Sequence, residues 1–186
     1  MENFRFCPAC GGAVEYRVPD CDDRARAVCG QCQAVHYQNP RIVVGVVAWW
    51  QERVLLCRRG IAPRIGFWAF PAGYLELAET TEDGALREAW EEACAEIEIS
   101  RLLAVYNLAH LNQVQILYLG ELKHKGVAAG PESLEVELFK WSEIPWQELA
   151  FPSVQRALQH ARNMREGSLA NPDLQSRELE LDPKLL

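Results

Sequence analysis

Three glutamates are crowded into the acidic stretch between Arg87 and Glu92. Glu88, Glu91 and Glu92 stand at i, i+3 and i+4, so on a helix their carboxylates share one face. Like charges at this spacing repel one another, and a divalent cation removes the repulsion, because Mg²⁺ and Mn²⁺ prefer carboxylate oxygens. Taken alone, such a cluster is more often a solvated helix face than a metal site.

A second candidate metal site is formed by cysteines. Cys7 and Cys10 make one Cys-x-x-Cys pair, Cys29 and Cys32 make another, and 18 residues separate the two pairs. This spacing is typical of a zinc site, and four thiolates complete a tetrahedral sphere, so the metal would be structural. Iron in place of zinc and a pair of disulfides are the alternatives.

The module around these cysteines, residues 1–38, is too short to build a hydrophobic core, so bound metal would supply its stability. It holds four arginines and five acidic residues, so it lacks the basic surface typical of nucleic-acid binding. We therefore favour a dimerisation or scaffolding role for it.

The acidic stretch lies within a predicted helix, residues 80–95. Thr80 followed by Asp83 resembles a capping box at its start. Four apolar residues recur at helical spacing and are predicted to face the core: Leu86, Ala89, Trp90 and Ala93. A second helix is predicted from Val154 to about Arg165.

Apolar or β-branched stretches predict five strands, at residues 41–50, 54–58, 97–108, 114–122 and 136–141. The first two are separated by a short polar turn, which indicates a hairpin. The chain is thus predicted to contain the metal-binding module, a main α/β domain at residues 39–165, and a polar tail or docking arm at residues 166–186.

A longer pattern around the acidic stretch resembles the Nudix box over 23 positions, from Gly73 to Ala95. The matching residues are Gly73, Glu79, Arg87, Glu88, Glu91 and Glu92. The chain departs from the pattern at Cys94, where the family usually has glycine. The resemblance implies an α/β/α sandwich with a mixed sheet, in which the box forms a loop, a helix and a loop.

The resemblance also implies metal ligands. Glu88, Glu91 and Glu92 would bind one to three Mg²⁺ or Mn²⁺ ions, as catalytic cofactors, and the backbone carbonyl of Ala72 would complete the sphere.

The resemblance also assigns a positioning role to one arginine and the role of general base to one of several glutamates. Arg87 would pair with Glu79 and hold the loop of the box. A general base would come from Glu91 within the box or from Glu135 outside it, with Glu132 as the second choice there. Glu135 is equally well explained as a surface acid.

Substrate contacts are predicted beside the box. Arg58, Arg59 and Arg64 flank the preceding loop and are candidates to contact phosphates, although Arg58 and Arg59 are equally well explained as a solvated strand end. The candidates to stack on a flavin or adenine ring are Phe67, Trp68, Phe70 and Tyr74, although each aromatic residue taken singly is more often a core residue.

Short motifs extend the resemblance over about residues 5–155. They are Cys7–Gly11, Tyr37–Pro40, Val43–Gly45, Val54–Cys57, Pro71–Glu76, Gly130–Glu135 and Leu149–Phe151. The series is similar to plant chloroplast FAD pyrophosphatases and their bacterial relatives, which split FAD into FMN and AMP.

Other functions remain open beside FAD hydrolysis. ADP-ribose and NADH are the alternative substrates, although the proline-containing motif of NADH pyrophosphatases is missing, since residues 96–119 contain no proline. A non-catalytic nucleotide sensor is the alternative of another class, which the intact box acids disfavour.

Composition limits the partners. A formal net charge of -7 over 186 residues disfavours a duplex-binding protein. The longest apolar run, Ile42–Trp50, has nine residues and is too short to span a membrane. We expect a cytoplasmic protein with a small-molecule dinucleotide substrate and no nucleic-acid or membrane partner; a homodimer is an open alternative.

Overall fold

The computed structural model describes residues 4–175 of the chain. It divides into two compact units, residues 1–39 and residues 40–186. The first unit contains a three-stranded antiparallel sheet, formed by β1 (Val14–Arg17), β2 (Arg26–Cys29) and β3 (Val35–His36). Such short strands bury little apolar surface, so the unit depends on its cysteines.

Within residues 40–175 the second unit forms eight strands and two α-helices. These elements are β4 (Arg41–Trp50), β5 (Arg53–Arg59), β6 (Trp68–Ala69), β7 (Ala72–Tyr74), α1 (Thr81–Ala93), β8 (Ile97–Leu108), β9 (Gln113–Leu122), β10 (Ser133–Lys140), α2 (Pro152–Arg165) and β11 (Asp173–Gln175). Short 3₁₀ turns occupy Ala109–Leu111, Trp141–Glu143 and Trp146–Glu148. Neither α-helix of the described chain has the length and apolar character of a membrane span.

All eight strands belong to one mixed sheet. Its order is β10-β5-β4-β9-β8-β11, with β6 paired to β5 and β7 paired to β4. The β4–β9 and β8–β11 pairs are parallel, and the remaining pairs are antiparallel. Trp50 pairs with Arg53 where β4 turns into β5, which confirms the predicted hairpin.

The central strand β4 explains why helices cover both faces of the sheet. Val44 and Val46 belong to the hydrophobic cluster that contains the buried residues of α1. Val47 and Trp49 belong to a second cluster, which contains the buried residues of α2. Alternate side chains of a strand point to opposite faces, so a continuously apolar strand needs a cover on each side. The predicted α/β/α sandwich with a mixed sheet is confirmed.

One core prediction on α1 is wrong. Trp90 is 55% exposed, whereas Ala85, Ala89 and Ala93 are fully buried. These alanines stand at i, i+4 and i+8, so they form a narrow stripe that brings the helix backbone close to the sheet. The indole of Trp90 lies beside the stripe and turns to solvent, because a large side chain does not fit under a helix packed this closely.

A strand occurs where the sequence indicated only a polar tail. β11 pairs in parallel with the edge strand β8. Arg156 of α2 holds the start of β11 through two hydrogen bonds to the Asp173 carboxylate, at 2.6 and 3.0 Å. Both interactions come from distant parts of the chain, so hydrophobic periodicity could not reveal the strand. The rest of the predicted tail, residues 176–186, lies outside the described residues.

The departure at Cys94 affects the end of α1. Cys94 follows the last helical residue with φ 48° and ψ 33°, the left-handed conformation. Its amide donates to the Trp90 carbonyl at 2.9 Å, and the Ala95 amide donates to the Ala89 carbonyl at 3.2 Å. The helix end that glycine usually provides is therefore formed, but with a residue whose Cβ disfavours this conformation.

We predict that Cys94→Gly raises the free energy of unfolding by about 1 kcal/mol, because glycine adopts positive φ without the Cβ penalty. Cys94→Ala removes the sulfur and keeps the Cβ, so it should not produce this gain. Urea denaturation of the three proteins measures the difference. Equal stability of the glycine and alanine variants would show that the backbone conformation carries no cost here.

Candidate functional site

The four paired cysteines meet at one point of the first unit. Their sulfur atoms all lie within 4.8 Å of one another. Sγ of Cys7 is 3.7 Å from that of Cys32, and Sγ of Cys10 is 3.5 Å from that of Cys29. Tetrahedral zinc with bonds of about 2.3 Å places its sulfurs roughly 3.8 Å apart, so the arrangement fits one zinc ion.

Backbone donors prepare one of these thiols, that of Cys29, to bind metal. The backbone amides of Cys32 and Gln31 each donate to Cys29 Sγ at 3.4 Å. These donors lower the pKa of the Cys29 thiol to about 6, which favours the thiolate that a metal requires. His36 Nε2 lies 3.2 Å from Cys7 Sγ and extends this outer shell.

The acidic stretch of α1 forms one wall of a cavity in the second unit, with a volume of about 810 Å³. The charged residues that line the cavity are Glu76, Glu88, Glu91, Glu92, Glu132, Arg59 and Arg87. Five carboxylates and two guanidinium groups thus line the cavity, which carries a formal excess of three negative charges. The acidic wall itself would therefore repel a polyanionic ligand unless cations accompany it.

Arg87 is the centre of the hydrogen-bond network on this wall. Its guanidinium donates two bonds to the Glu79 carboxylate, at 2.8 and 3.0 Å. Three more bonds reach Glu88 at 2.8 Å, Glu91 at 2.9 Å and the Tyr74 carbonyl at 3.0 Å. The hydrogen bonds from Arg87 lower the pKa of Glu79 to about 2, so the pair stays charged across the physiological range. Arg87 therefore ties α1 to the loop that precedes it.

Glycine at position 73 admits the Glu88 carboxylate. A Cβ added to Gly73 would lie 2.3 Å from the carboxylate atoms of Glu88, which is far inside van der Waals contact. Strand β7 holds Gly73 in place, because Gly73 pairs with Val44 of β4. Burial raises the pKa of Glu88, while Arg87 acts in the opposite direction.

Glu92 is the most deeply placed acid on the wall. Burial raises the pKa of its carboxyl to about 7. Its one hydrogen-bond partner in the described chain is the amide of Ala72, which donates at 3.3 Å. Ala72 thus lies beside Glu92. The two residues are predicted to bind the same metal ion, Glu92 through its carboxylate and Ala72 through its backbone carbonyl.

The donor set on this wall fits a hard divalent cation. Carboxylate oxygens dominate it, and a cation would offset the cost of burying Glu88 and Glu92. Their oxygens are not gathered as closely as the thiolates: among residues 4–175, only the four cysteines bring three or more ligand atoms within 4.8 Å. Arg87 engages Glu88 and Glu91, whereas Glu92 bonds to Ala72, so metal binding would compete with these hydrogen bonds.

The loop between β9 and β10 brings Glu132 to the cavity. The amides of Ala128 and Gly130 donate to the carbonyls of Ala93 and Glu92, at 2.9 and 3.0 Å, and so satisfy the end of α1. The loop approaches so closely that a Cβ on Gly130 would lie within 2 Å of the Glu91 carbonyl oxygen.

Glu135, the first choice for a base outside the box, is not among the residues that line the cavity. It lies on β10, where its Oε2 is 3.5 Å from Arg58 Nη1. Glu132, the second choice, does line the cavity. Its carbonyl accepts from the Gly60 amide at 2.7 Å, which fixes the loop beside β5.

The predicted substrate residues are divided between two places. Tyr74 lines the cavity, with the Arg41 guanidinium 5.0 Å from its ring and Gln113 Nε2 donating to its hydroxyl at 3.2 Å. Arg58, Arg64 and Phe67 are not among the lining residues. Phe67 packs against the core cluster of α2, and the Arg64 guanidinium lies 5.1 Å from its ring.

Arg59 and Phe70, which belong to the same predicted groups, do line the cavity, and so does Phe151, which the sequence did not indicate. Arg59 follows Arg58 directly on β5, and adjacent residues of a strand point to opposite faces. Only one of the two arginines can therefore face the cavity. The sequence does not indicate which one, because an apolar strand that ends in two arginines gives no signal for the face on which the cavity lies.

Comparison with known proteins agrees with this architecture. Residues 39–161 match the model of the NUDIX domain, and residues 5–38 match the zinc-ribbon model described as Nudix N-terminal. The chain belongs to the Nudix hydrolase family and carries the zinc ribbon found at the N-terminus of some members.

A crystal structure of a Nudix hydrolase from Nitrosomonas europaea is 44% identical, with a TM-score of 0.85, and covers 92% of this chain and 97% of its own. The NAD-capped RNA hydrolase NudC of Vibrio vulnificus is 29% identical over 75% of this chain and 51% of its own length. An ADP-ribose pyrophosphatase of Methanocaldococcus jannaschii is 28% identical over 62% of this chain and 69% of its own. The chain thus spans about half the length of the NudC relatives it matches.

Zinc content tests the ribbon. We expect one zinc ion per chain in the purified protein, and Cys29→Ser should lose it because the tetrahedral sphere is broken. Cys21→Ser is the matched control, since Cys21 is an exposed cysteine outside both pairs. Atomic emission measures the metal content. Full zinc retention by Cys29→Ser, or zinc loss by Cys21→Ser, would contradict the assigned ligands.

A double-mutant cycle tests the Arg87–Glu79 pair. Arg87→Lys and Glu79→Gln should each lower kcat by about 10- to 100-fold, because neither residue then holds the loop against α1. The double variant should be no more than about twofold slower than the slower single variant, since the two residues act as one unit. Arg101→Lys, an exposed arginine on β8, is the control. Additive losses would mean that the residues act independently.

Proposed function

We propose that this protein is a metal-dependent pyrophosphohydrolase, which hydrolyses a nucleoside diphosphate linked to another moiety. One observation carries the proposal: the box carboxylates, including the partly buried Glu88 and Glu92, face a cavity of about 810 Å³. Its volume lies in the range of roughly 300–1,000 Å³ typical of ligand sites. The net negative wall suits a substrate that arrives with divalent cations.

Each group on the wall has a proposed role. Glu88, Glu91 and Glu92 would hold Mg²⁺ or Mn²⁺, which when bound offsets the charge on phosphate oxygens and lowers the pKa of a water molecule. Glu91 and Glu132 are the candidate general bases, since both line the cavity. Arg87 and Glu79 position the loop of the box and do not contact the substrate.

FAD is our first proposal for the substrate. The motif series that spans about residues 5–155 supports it, and Tyr74 and Phe151 line the cavity as candidate surfaces for a flavin or an adenine ring. ADP-ribose and NADH are the alternatives within the same chemistry. The names of the relatives in Methanocaldococcus jannaschii and Vibrio vulnificus support testing ADP-ribose and NAD-capped RNA alongside FAD.

A hydrolysis panel tests this function. The zinc-loaded protein is assayed with Mg²⁺ and with Mn²⁺ on FAD, NADH, ADP-ribose, coenzyme A, nucleoside triphosphates and NAD-capped RNA. Metal-dependent release of AMP and FMN from FAD is the expected result. Faster turnover of another member of the panel would reassign the substrate and keep the chemistry.

Paired variants separate the site from general effects. Glu92→Gln should lower kcat by roughly 100-fold or more, because a buried metal ligand loses its charge. Glu98→Gln, which makes the same change at an exposed position of β8, should leave kcat unchanged. A folded, zinc-loaded protein that hydrolyses none of the panel would overturn the enzyme proposal and favour a nucleotide-sensing regulator.

A further inference from the structure

The cavity has a second wall that the carboxylate chemistry does not use. Phe151, Ser153 and Val154 line the cavity at the start of α2, and Arg59 lines it at the end of β5. α2 is a 14-residue helix, so the partial positive charge at its N-terminus is fully developed. This wall is positive, whereas the wall formed by α1 is negative.

The first turn of α2 leaves donors without partners. Phe151 is the N-cap residue and cannot accept a hydrogen bond through its side chain, and Pro152 has no amide hydrogen. The amides of Val154 and Gln155 both donate to the Phe151 carbonyl, at 3.0 and 3.4 Å. The amide of Ser153 has no hydrogen-bond acceptor within residues 4–175. It is the donor of this turn that remains available to a ligand.

The Ser153 side chain is a second, independent feature. Ser153 is 4% exposed and is the buried polar residue of the described core. Its hydroxyl has no hydrogen-bond partner among the described residues, and it is not one of the fully enclosed unpaired atoms, Trp49 Nε1 and Tyr106 Oη, so it is open to the cavity. Because Ser153 lines the cavity, a bound acceptor there would satisfy the hydroxyl and the amide together.

Arg59 supplies a full positive charge beside this turn. Its Nε donates to the Pro63 carbonyl at 2.9 Å, and its guanidinium lies 5.4 Å from the centre of the Phe151 ring. These contacts orient the side chain, while its Nη groups form no ion pair within the described chain. Arg87, the other arginine on the cavity, is fully engaged with box residues. Arg59 is therefore the cation of this cavity that is available to an anion.

We propose that Arg59 together with the hydroxyl and amide of Ser153 forms a phosphate-binding subsite on the α2 wall. The subsite would hold the phosphoryl group of the substrate that is not bound by metal ions on the α1 carboxylates. The inference therefore rests on the proposed function and adds a phosphate contact to it. A helix N-terminus, a hydroxyl and a guanidinium are donors that a phosphate group, with several acceptor oxygens, satisfies at once. A neutral ligand would leave the Arg59 charge without a partner.

A binding experiment without turnover tests the subsite. AMP and adenosine differ only in the phosphate group, so the ratio of their dissociation constants isolates its contribution. Calorimetry uses the zinc-loaded protein without added Mg²⁺ or Mn²⁺. AMP should bind wild-type protein at least about 10-fold more tightly than adenosine does, as expected for a charge-assisted contact.

Variants then locate the contact. Arg59→Gln should abolish the preference for AMP, and Ser153→Ala should reduce it by about fivefold while leaving adenosine affinity unchanged. Arg53→Gln, at the opposite end of β5, makes the same change in net charge and should retain the preference. Thermal unfolding of each variant checks that the fold is intact.

The outcomes separate this subsite from the enzyme proposal. Equal affinity for AMP and adenosine in wild-type protein, absence of binding by both, or unchanged preference in Arg59→Gln would overturn the subsite. Hydrolysis of the panel by such a protein would leave the enzyme proposal standing. An Arg59-dependent preference for AMP in a protein that hydrolyses nothing would support the subsite and overturn the enzyme.

Discussion

The excess of negative charge on one cavity wall is the constraint that the rest of the second unit accommodates. Two of its glutamates, Glu88 and Glu92, are partly withdrawn from water, where an unpaired carboxylate is costly. Arg87 offsets part of this cost with five hydrogen bonds that also join the helix to its preceding loop. The remaining charge is what makes the wall suited to divalent cations.

Close approach of backbone segments keeps these acids in position. The alanine stripe of α1 lets the helix lie close to the sheet, and Gly73 leaves space for the Glu88 carboxylate. Gly130 allows the loop before β10 to reach the last turn of α1. A larger residue at either glycine would displace an acid or its support, so small residues at these points are a requirement of the site and not only of the fold.

Two metal environments with different chemistry occur in one chain. The first unit offers four sulfur ligands in a closed tetrahedral arrangement, which suits zinc and leaves no open position for a substrate. The second unit offers oxygen ligands on an open cavity wall, which suits Mg²⁺ or Mn²⁺ and leaves room for phosphate oxygens. Each unit thus offers the ligand type that would suit the structural or the catalytic task proposed for it.

The opposite wall of the same cavity has the reverse polarity. Arg59 and the first turn of α2 offer donors where α1 offers acceptors. A pyrophosphate between these walls would meet cations on one side and hydrogen-bond donors on the other. The sandwich makes this possible because β4 packs against a helix on each face and residues of both helices line the cavity.

The sequence alone determined the ligand sets and the main elements. The spacing of the cysteines and of the box acids is a local property, so the four thiols and the candidate ligands Glu88, Glu91 and Glu92 could be named without coordinates. The strands and helices with clear periodicity could be named in the same way. Other features depended on packing between distant segments. Trp90 turned outward beside an alanine stripe, Arg59 and not Arg58 reached the cavity through strand register, and β11 formed on an edge that only the assembled sheet provides. Tertiary structure decided these because each depends on which face or edge a neighbour presents, and that information is not contained in local spacing.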